Sequence, residues 1–181
     1  SVKLNNGYTT AGSDYSLVAG KVNTINSNSH YSSILGGSGN KIQDNSPASI
    51  IVGGQENYIR DYGKYTFIGA GRNNYVLNGK HSVIPGRYGN RIYNNASNSE
   101  SKYNSIMNGY VNKIYRGVNC TVIGSYNIIG NGDLVKYSFI SGKNNRIYAS
   151  YSNIFGCYGV VLSDNYTTLV KPSAADIEKN N

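Results

Sequence analysis

The sequence predicts an all-β parallel β-helix or β-roll, a solenoid of about nine coils of about 17 residues each. Three observations lead there. An eleven-residue pattern, Ser/Thr–apolar–Ile–x–Gly–Gly–x–x–Asn–x–Ile, recurs with small slips, most clearly over Ser32 to Ile42, Ser49 to Ile59, Thr66 to Val76 and Ser82 to Ile92. Its asparagine falls at Asn23, Asn40, Asn57, Asn74, Asn90, Asn112, Asn127 and Asn145, spacings of 17, 17, 17, 16, 22, 15 and 18. Two columns of branched aliphatics keep the same beat. One is Leu17, Ile34, Ile51, Ile68, Ile84, Ile106, Ile123, Ile140 and Ile154; the other is Ile25, Ile42, Ile59, Val76, Ile92, Ile114, Ile129 and Ile147.

Each coil then divides into two short strands joined by turns. Short alternating segments rich in β-branched residues and bounded by Gly and Asn read as strands. Gly and Asn serve the corners because they enter left-handed backbone conformations that other residues resist. Coils stacked about 4.8 Å apart give a rod on the order of 40 Å long. Asparagines stacked in register form amide ladders, so their column reads as structural. A ninth copy, Tyr151 to Val161, puts Gly159 at the asparagine position. Between Ile92 and Ile106, the stretch Asn94 to Ser101 lengthens one turn by about five residues; such insertions map to loops on one face, often the binding face. Helical spacing is confined to Ser173 to Lys179. The resulting division is a lead-in at 1–14, the repeat domain at 15–162 and a tail or linker at 163–181.

Composition narrows the class further. Charged residues make up 14% of the chain, against about 25% in ordinary domains, so amides, hydroxyls and phenols must wet the surface. Abundant Gly, Asn and Ser would suit disorder, but the fixed beat of Ile, Val and Tyr argues against it. The net charge of +8 comes from single Lys and Arg residues, never a run. That favours a long anionic surface, such as acidic polysaccharide or lipopolysaccharide, over nucleic acid. Cys120 and Cys157 lack CxxC spacing and read as structural thiols, with no metal site and no cofactor expected. No signal peptide and no membrane-spanning apolar run is visible, which predicts a soluble chain without membrane insertion. Ser1 and the close at Asp176 to Asn181 read as boundaries of a longer or processed protein.

The core is thin. Two reliable inward aliphatics per coil, joined occasionally by Leu35 or Val52, must offset the ordering of many turn residues. Ordering costs about 1–2 kcal/mol per residue in backbone entropy, and burying one Ile returns about 1.5–3 kcal/mol. An isolated coil therefore comes out near balance, which predicts an obligate homo-oligomer. Tyrosines at the coil entrances, Tyr15, Tyr31, Tyr65, Tyr103, Tyr137 and Tyr151, are candidates for the extra burial.

These repeats resemble those of bacteriophage tail fibres and tailspikes and, more loosely, the head repeats of trimeric autotransporter adhesins. The resemblance covers about residues 15 to 161 and rests on the repeat, not on a catalytic signature. It implies an elongated homotrimer exposed on the virion, hence extracellular, that recognises a bacterial surface glycan, capsule or lipopolysaccharide. Adhesin heads commonly carry Ala where this chain has Asn, and their period is shorter.

Phage spikes often cleave their receptor, so the resemblance also allows catalysis. Glycoside hydrolysis needs two carboxylates about 5–10 Å apart. The acids of the repeat region are Asp14, Asp44, Glu56, Asp61, Glu100 and Asp133; Glu56 and Asp61 come nearest to a pair, and turn-cap or solvated-surface duty is the favoured explanation of them. A lyase would want a base, for which His81, at a tyrosine position with Arg87 and Arg91 on its coil, is the candidate beside plain packing variation. No Gly-x-Ser-x-Gly elbow and no phosphate loop occurs. The balance is against catalysis. Binding has better material: Tyr58, Tyr75, Tyr93, Tyr115 and Tyr148 follow the repeat asparagines, with Arg60, Arg91, Lys113 and Arg146 beside them. Phenol faces stack on sugar rings and cations meet carboxylates or phosphates. The expected function is thus a structural and receptor-binding fibre module, with a depolymerase tailspike or a trimeric surface adhesin as alternatives. An ice-binding solenoid would want a flat threonine array, which is missing.

Overall fold

A computed structural model describes residues 2–4, 13–94 and 101–170. Through them the chain winds as a β-solenoid of about 9 turns of about 17 residues. Every coil gives one short strand to each of two parallel sheets. The long sheet joins 11 strands, from Val2–Leu4 to Thr168–Val170; the short sheet joins 9, from Thr24–Ile25 to Val161–Leu162. From Leu17–Ala19 onward a strand pairs with its counterpart one coil later. Ser33 lies beside Ile50 and Ile34 beside Ile51 in the long sheet; Lys41 lies beside Tyr58 and Ile42 beside Ile59 in the short one. Pairing reaches past 15–162 at both ends, through Val2–Leu4 against Leu17–Ala19 and Thr168–Val170 against Asn153–Phe155.

The isoleucine columns point inward as expected, and Ile25, Ile42, Ile59, Ile34, Ile51 and Ile68 are all buried. Two positions differ by one residue. Val18, not Leu17, fills the first column, because Val18 pairs with Ile34 and Leu17 with Ser33. Val122, not Ile123, is buried, because Val122 pairs with Ile106 and Ile140 while a bulge at Met107 sets Ile123 beside Asn108. Side chains alternate faces along a strand, so where two neighbours are both apolar the pattern does not say which turns in. Leu35 and Val52 turn out to solvent and add nothing to the core. At the ninth copy the asparagine position is held by Val160, which pairs through its N–H with Asn145. Gly159 stands one place earlier, in the left-handed column formed by Val22, Gly39, Glu56, Asn73 and Asn144.

The asparagine column is a continuous ladder. Each side-chain oxygen accepts the backbone N–H of the asparagine one coil on: Asn23 to Asn40 at 2.8 Å, Asn40 to Asn57 at 3.0 Å, Asn57 to Asn74 at 3.0 Å, and so on to Asn145 and Val160 at 2.9 Å. The amide nitrogens donate to corner carbonyls of their own coil and the next, as Asn57 does to Gly53 and Gly71. A serine column does the same at the opposite corner: Ser32 Oγ accepts from Ser49 N, and Ser49 Oγ accepts from Thr66 N while donating to Gly63 O. Backbone groups that bend away from the strand ladders thus keep partners inside the rod, where water is excluded. The residue before each Ser, Thr, Asn or Cys of this column is left-handed without being Gly: Tyr15, Tyr31, Ala48, Tyr65, His81, Tyr103, Asn119, Tyr137 and Tyr151.

Extra residues leave this frame undisturbed. Across the 22-residue spacing Ile92 still pairs with Ile114, and Asn90 still accepts from Asn112 N at 3.1 Å. Of the lengthened turn, Asn94 and Ser101 are buried; 95–100, including Glu100, lie outside the described residues, as does the helix expected at Ser173 to Lys179.

Cys120 occupies a serine-column position, its Sγ 3.4 Å from Val135 O and 3.5 Å from Val118 O. Burial pushes its thiol up to about 11 from 9.0. A raised thiol pKa favours the neutral native form. Its stabilising effect is complete below pH 9.0 and is lost as pH climbs through about 11. Cys120→Ser is expected to change stability by less than about 1 kcal/mol at pH 7, since Ser is the usual occupant of the column. It should also blunt the alkaline loss by about 2 kcal/mol. Urea midpoints of both proteins at pH 7 and pH 10.5 check this.

Candidate binding face

The two residues flanking each buried aliphatic of the short sheet point outward, and they are chemically distinctive. Along one outward column run Lys41, Tyr58, Tyr75, Arg91, Lys113, Ile128 and Arg146, each one residue after its ladder asparagine and in register with the next. Along the other run Gln43, Arg60, Leu77, Tyr93, Tyr115, Gly130 and Tyr148. Every tyrosine and cation expected from the sequence to bind ligand therefore stands on one face. No acid interrupts either column.

Four of the rings form an unbroken diagonal. Centroids are 6.2 Å apart from Tyr58 to Tyr75, 5.6 Å from Tyr75 to Tyr93 and 5.3 Å from Tyr93 to Tyr115, the last pair nearly parallel at 9°. Cations hold the rings in place. Lys41 Nζ sits 5.7 Å from the Tyr58 centroid, and Arg91 Nη1 donates to Tyr93 Oη at 2.8 Å. Burial raises the Tyr75 pKa above 10.0, an effect opposed by the charge and hydrogen bond of Arg60 and reinforced by Asp61. The phenol therefore stays neutral, a donor as well as an acceptor.

Tyr58, Tyr75 and Tyr93 floor an open groove of about 640 Å³, which Lys41, Gln43, Glu56, Arg60, Asn73 and Arg91 also line. A smaller hollow of about 270 Å³ continues it along the rod, sharing Asn73 and Arg91 and reaching Lys113. Arg146 and Tyr148 share the face but are cut off by the coil that carries Ile128 and Gly130. Lys41, Gln43 and Asn73 are additions to the residues expected from sequence. Lys41 was findable, since it holds the position after Asn40 that Tyr58 and Tyr75 hold in later coils.

The three catalytic candidates stand on different corners. Glu56 lines the groove with its carboxylate 3.8 Å from Arg72 Nε. Asp61 follows the far end of the strand Tyr58–Arg60. His81 belongs to the entrance tyrosine column, stacked between Tyr65 at 4.8 Å and Tyr103 at 5.0 Å. Arg87, left-handed and exposed, lies on the corner ahead of Asn90. One carboxylate in the groove does not make the acid and nucleophile pair of a glycosidase. Among the described residues no three His, Cys, Asp or Glu side chains gather as metal ligands do. A row of neutral rings edged by cations suits an extended ligand with sugar-like apolar faces and anionic substituents. No protein-family model matches this sequence, and no curated protein matches it.

Proposed function

We propose that the chain is a structural and receptor-binding module of a bacteriophage tail fibre or tailspike, a homotrimer on the virion that holds acidic bacterial surface polysaccharide, capsule or lipopolysaccharide, against its short-sheet face. The observation that carries the reading is the run of touching rings Tyr58, Tyr75, Tyr93 and Tyr115 with Lys41, Arg60, Arg91 and Lys113 interleaved and no acid in either outward column. Rings spaced about one coil apart give successive sugars a repeated stacking surface, and the cations select for carboxylate or phosphate. The rod itself supplies reach.

Calorimetry with purified acidic and neutral bacterial polysaccharides tests this. The acidic polymers are expected to bind, with affinity falling about tenfold between 0.05 and 0.5 M salt as the charges are screened. Tyr75→Ala with Tyr93→Ala should weaken binding by about 100-fold, two stacking contacts of about 1–1.5 kcal/mol each. Equal binding of neutral polymers, or no loss in the double variant, would overturn the assignment. The depolymerase alternative rests on Glu56 in the groove. It calls for release of reducing ends that Glu56→Gln abolishes, and no turnover is expected.

A further inference from the structure

The long sheet also has an outward surface, and its chemistry is the reverse of the short sheet's. The residues on either side of each buried aliphatic, from Leu17 to Phe155, include no Asp, Glu, Lys, Arg or His. Large apolar side chains stand exposed there instead: Leu35 at 49%, Ile50 at 38%, Val52 at 41%, Phe67 at 37%, Ile123 at 38% and Phe155 at 40%. Nine coils of about 4.8 Å by about four residues of about 3.3 Å make a strip on the order of 600 Å². Two such strips face to face bury about 1,200 Å², the lower bound of a specific interface. A chain of net charge +8 could meet another copy of itself on this face without bringing like charges together, whereas the short-sheet face would repel its own copy.

We infer that the outer face of the long sheet is a self-association surface, on which copies of this chain pack parallel and in register about an axis running along the rod. The register follows from side-chain size. Within single coils a large outward residue is partnered by a small one: Phe67 by Gly69, Phe139 by Ser141, Leu35 by Ser33, Ile123 by Thr121 and Phe155 by Asn153. The first and second outward positions of a strand form two parallel columns. Rotation about an axis parallel to the rod, twofold or threefold, sets the first column of one copy against the second column of another at the same coil. Phe67 then meets Gly69, and Leu35 meets Ser33, so bulk fills hollow at these levels, while at the coil of Ile50 and Val52 two apolar side chains meet. An antiparallel arrangement sets coils from opposite ends together and loses that match. The short-sheet face stays outward on every copy.

Light scattering of the full chain tests the association, and a chemical cross-link tests its direction. The expected mass is two or three times 19.6 kDa. Val52→Lys with Phe67→Lys should reduce it to 19.6 kDa with an unchanged β-sheet circular dichroism spectrum, while Tyr75→Ala leaves it unchanged. Leu35→Cys, near one end of the rod, should be joined between copies by a short bismaleimide of about 10 Å, with the wild type as control because Cys120 and Cys157 are buried. A monomeric wild type overturns the inference, as does an assembly that survives both lysines. An assembly without the Leu35→Cys cross-link overturns the parallel register. Should the lysine variant fail to fold, the wild-type mass and the cross-link still decide.

Discussion

Asn57→Ala is expected to lower the free energy of unfolding by about 4 kcal/mol, a large share of the roughly 5–15 kcal/mol that holds a domain folded. Asn57 is fully buried, and its amide ties its own coil to the next. Its nitrogen donates to Gly53 O and Gly71 O, each at 3.0 Å, and its oxygen accepts Asn74 N at 3.0 Å. Alanine leaves that N–H inside the rod with no water to replace the partner and leaves Gly53 O short of its donor, while Gly71 O keeps the Gln55 N–H at 2.8 Å. Each orphaned group costs about 1–3 kcal/mol. Asn131→Ala, at an exposed turn, should change stability by less than about 0.5 kcal/mol. Urea unfolding followed by circular dichroism compares the two; a loss below about 1 kcal/mol for Asn57→Ala would mean the ladder is not what closes the corner.

The second large effect separates two adjacent glycines. Gly54 sits at φ +83, and a Cβ there would lie 2.0 Å from Gly71 O and 2.7 Å from Gly71 N. Both are backbone of the next coil, where the flanking N–H groups of Ala70 and Arg72 are bound to Pro85 O and Arg87 O, so neither can retreat. Gly54→Ala is expected to cost at least about 4 kcal/mol or to leave the protein insoluble. At Gly53 the nearest backbone atom is Gly36 C at 4.0 Å, and Gly53→Ala should stay within about 1 kcal/mol of wild type. Thermal unfolding of the pair makes the comparison. Equal melting temperatures would contradict the stacking of corners at this spacing.

Much of this architecture is legible in the amino-acid sequence. An asparagine returning every 17 residues, with Ile two places on, leaves few foldings other than a stacked coil, and the short sheet follows it residue for residue from Ile25 to Ile147. Legibility failed where the code is degenerate. Leu17 and Val18, or Val122 and Ile123, satisfy hydrophobic spacing equally, and only pairing across coils decides which turns in. It also failed at the corners, where Tyr31, Tyr65 and Tyr103 hold left-handed backbone that composition assigns to Gly or Asn. There the following Ser or Asn side chain compensates by capturing the next coil's N–H, as Ser32 and Asn104 do. The binding face was readable as a set of residue types. Its continuity was not, because Lys41 belongs to it by register rather than by chemistry, and because the break at Ile128 and Gly130 isolates Arg146 and Tyr148 only once the strands are aligned.

The amide string has a direction. Every asparagine lends its oxygen forward and none lends it back, from Asn23 to the N–H of Val160, where a side chain with nothing to lend takes the turn. A layer laid beyond Val160, whether by this chain or by another arriving end-on, would find no oxygen waiting and would strand a donor worth about 1–3 kcal/mol. The forward chain of amide oxygens thus closes at a single valine.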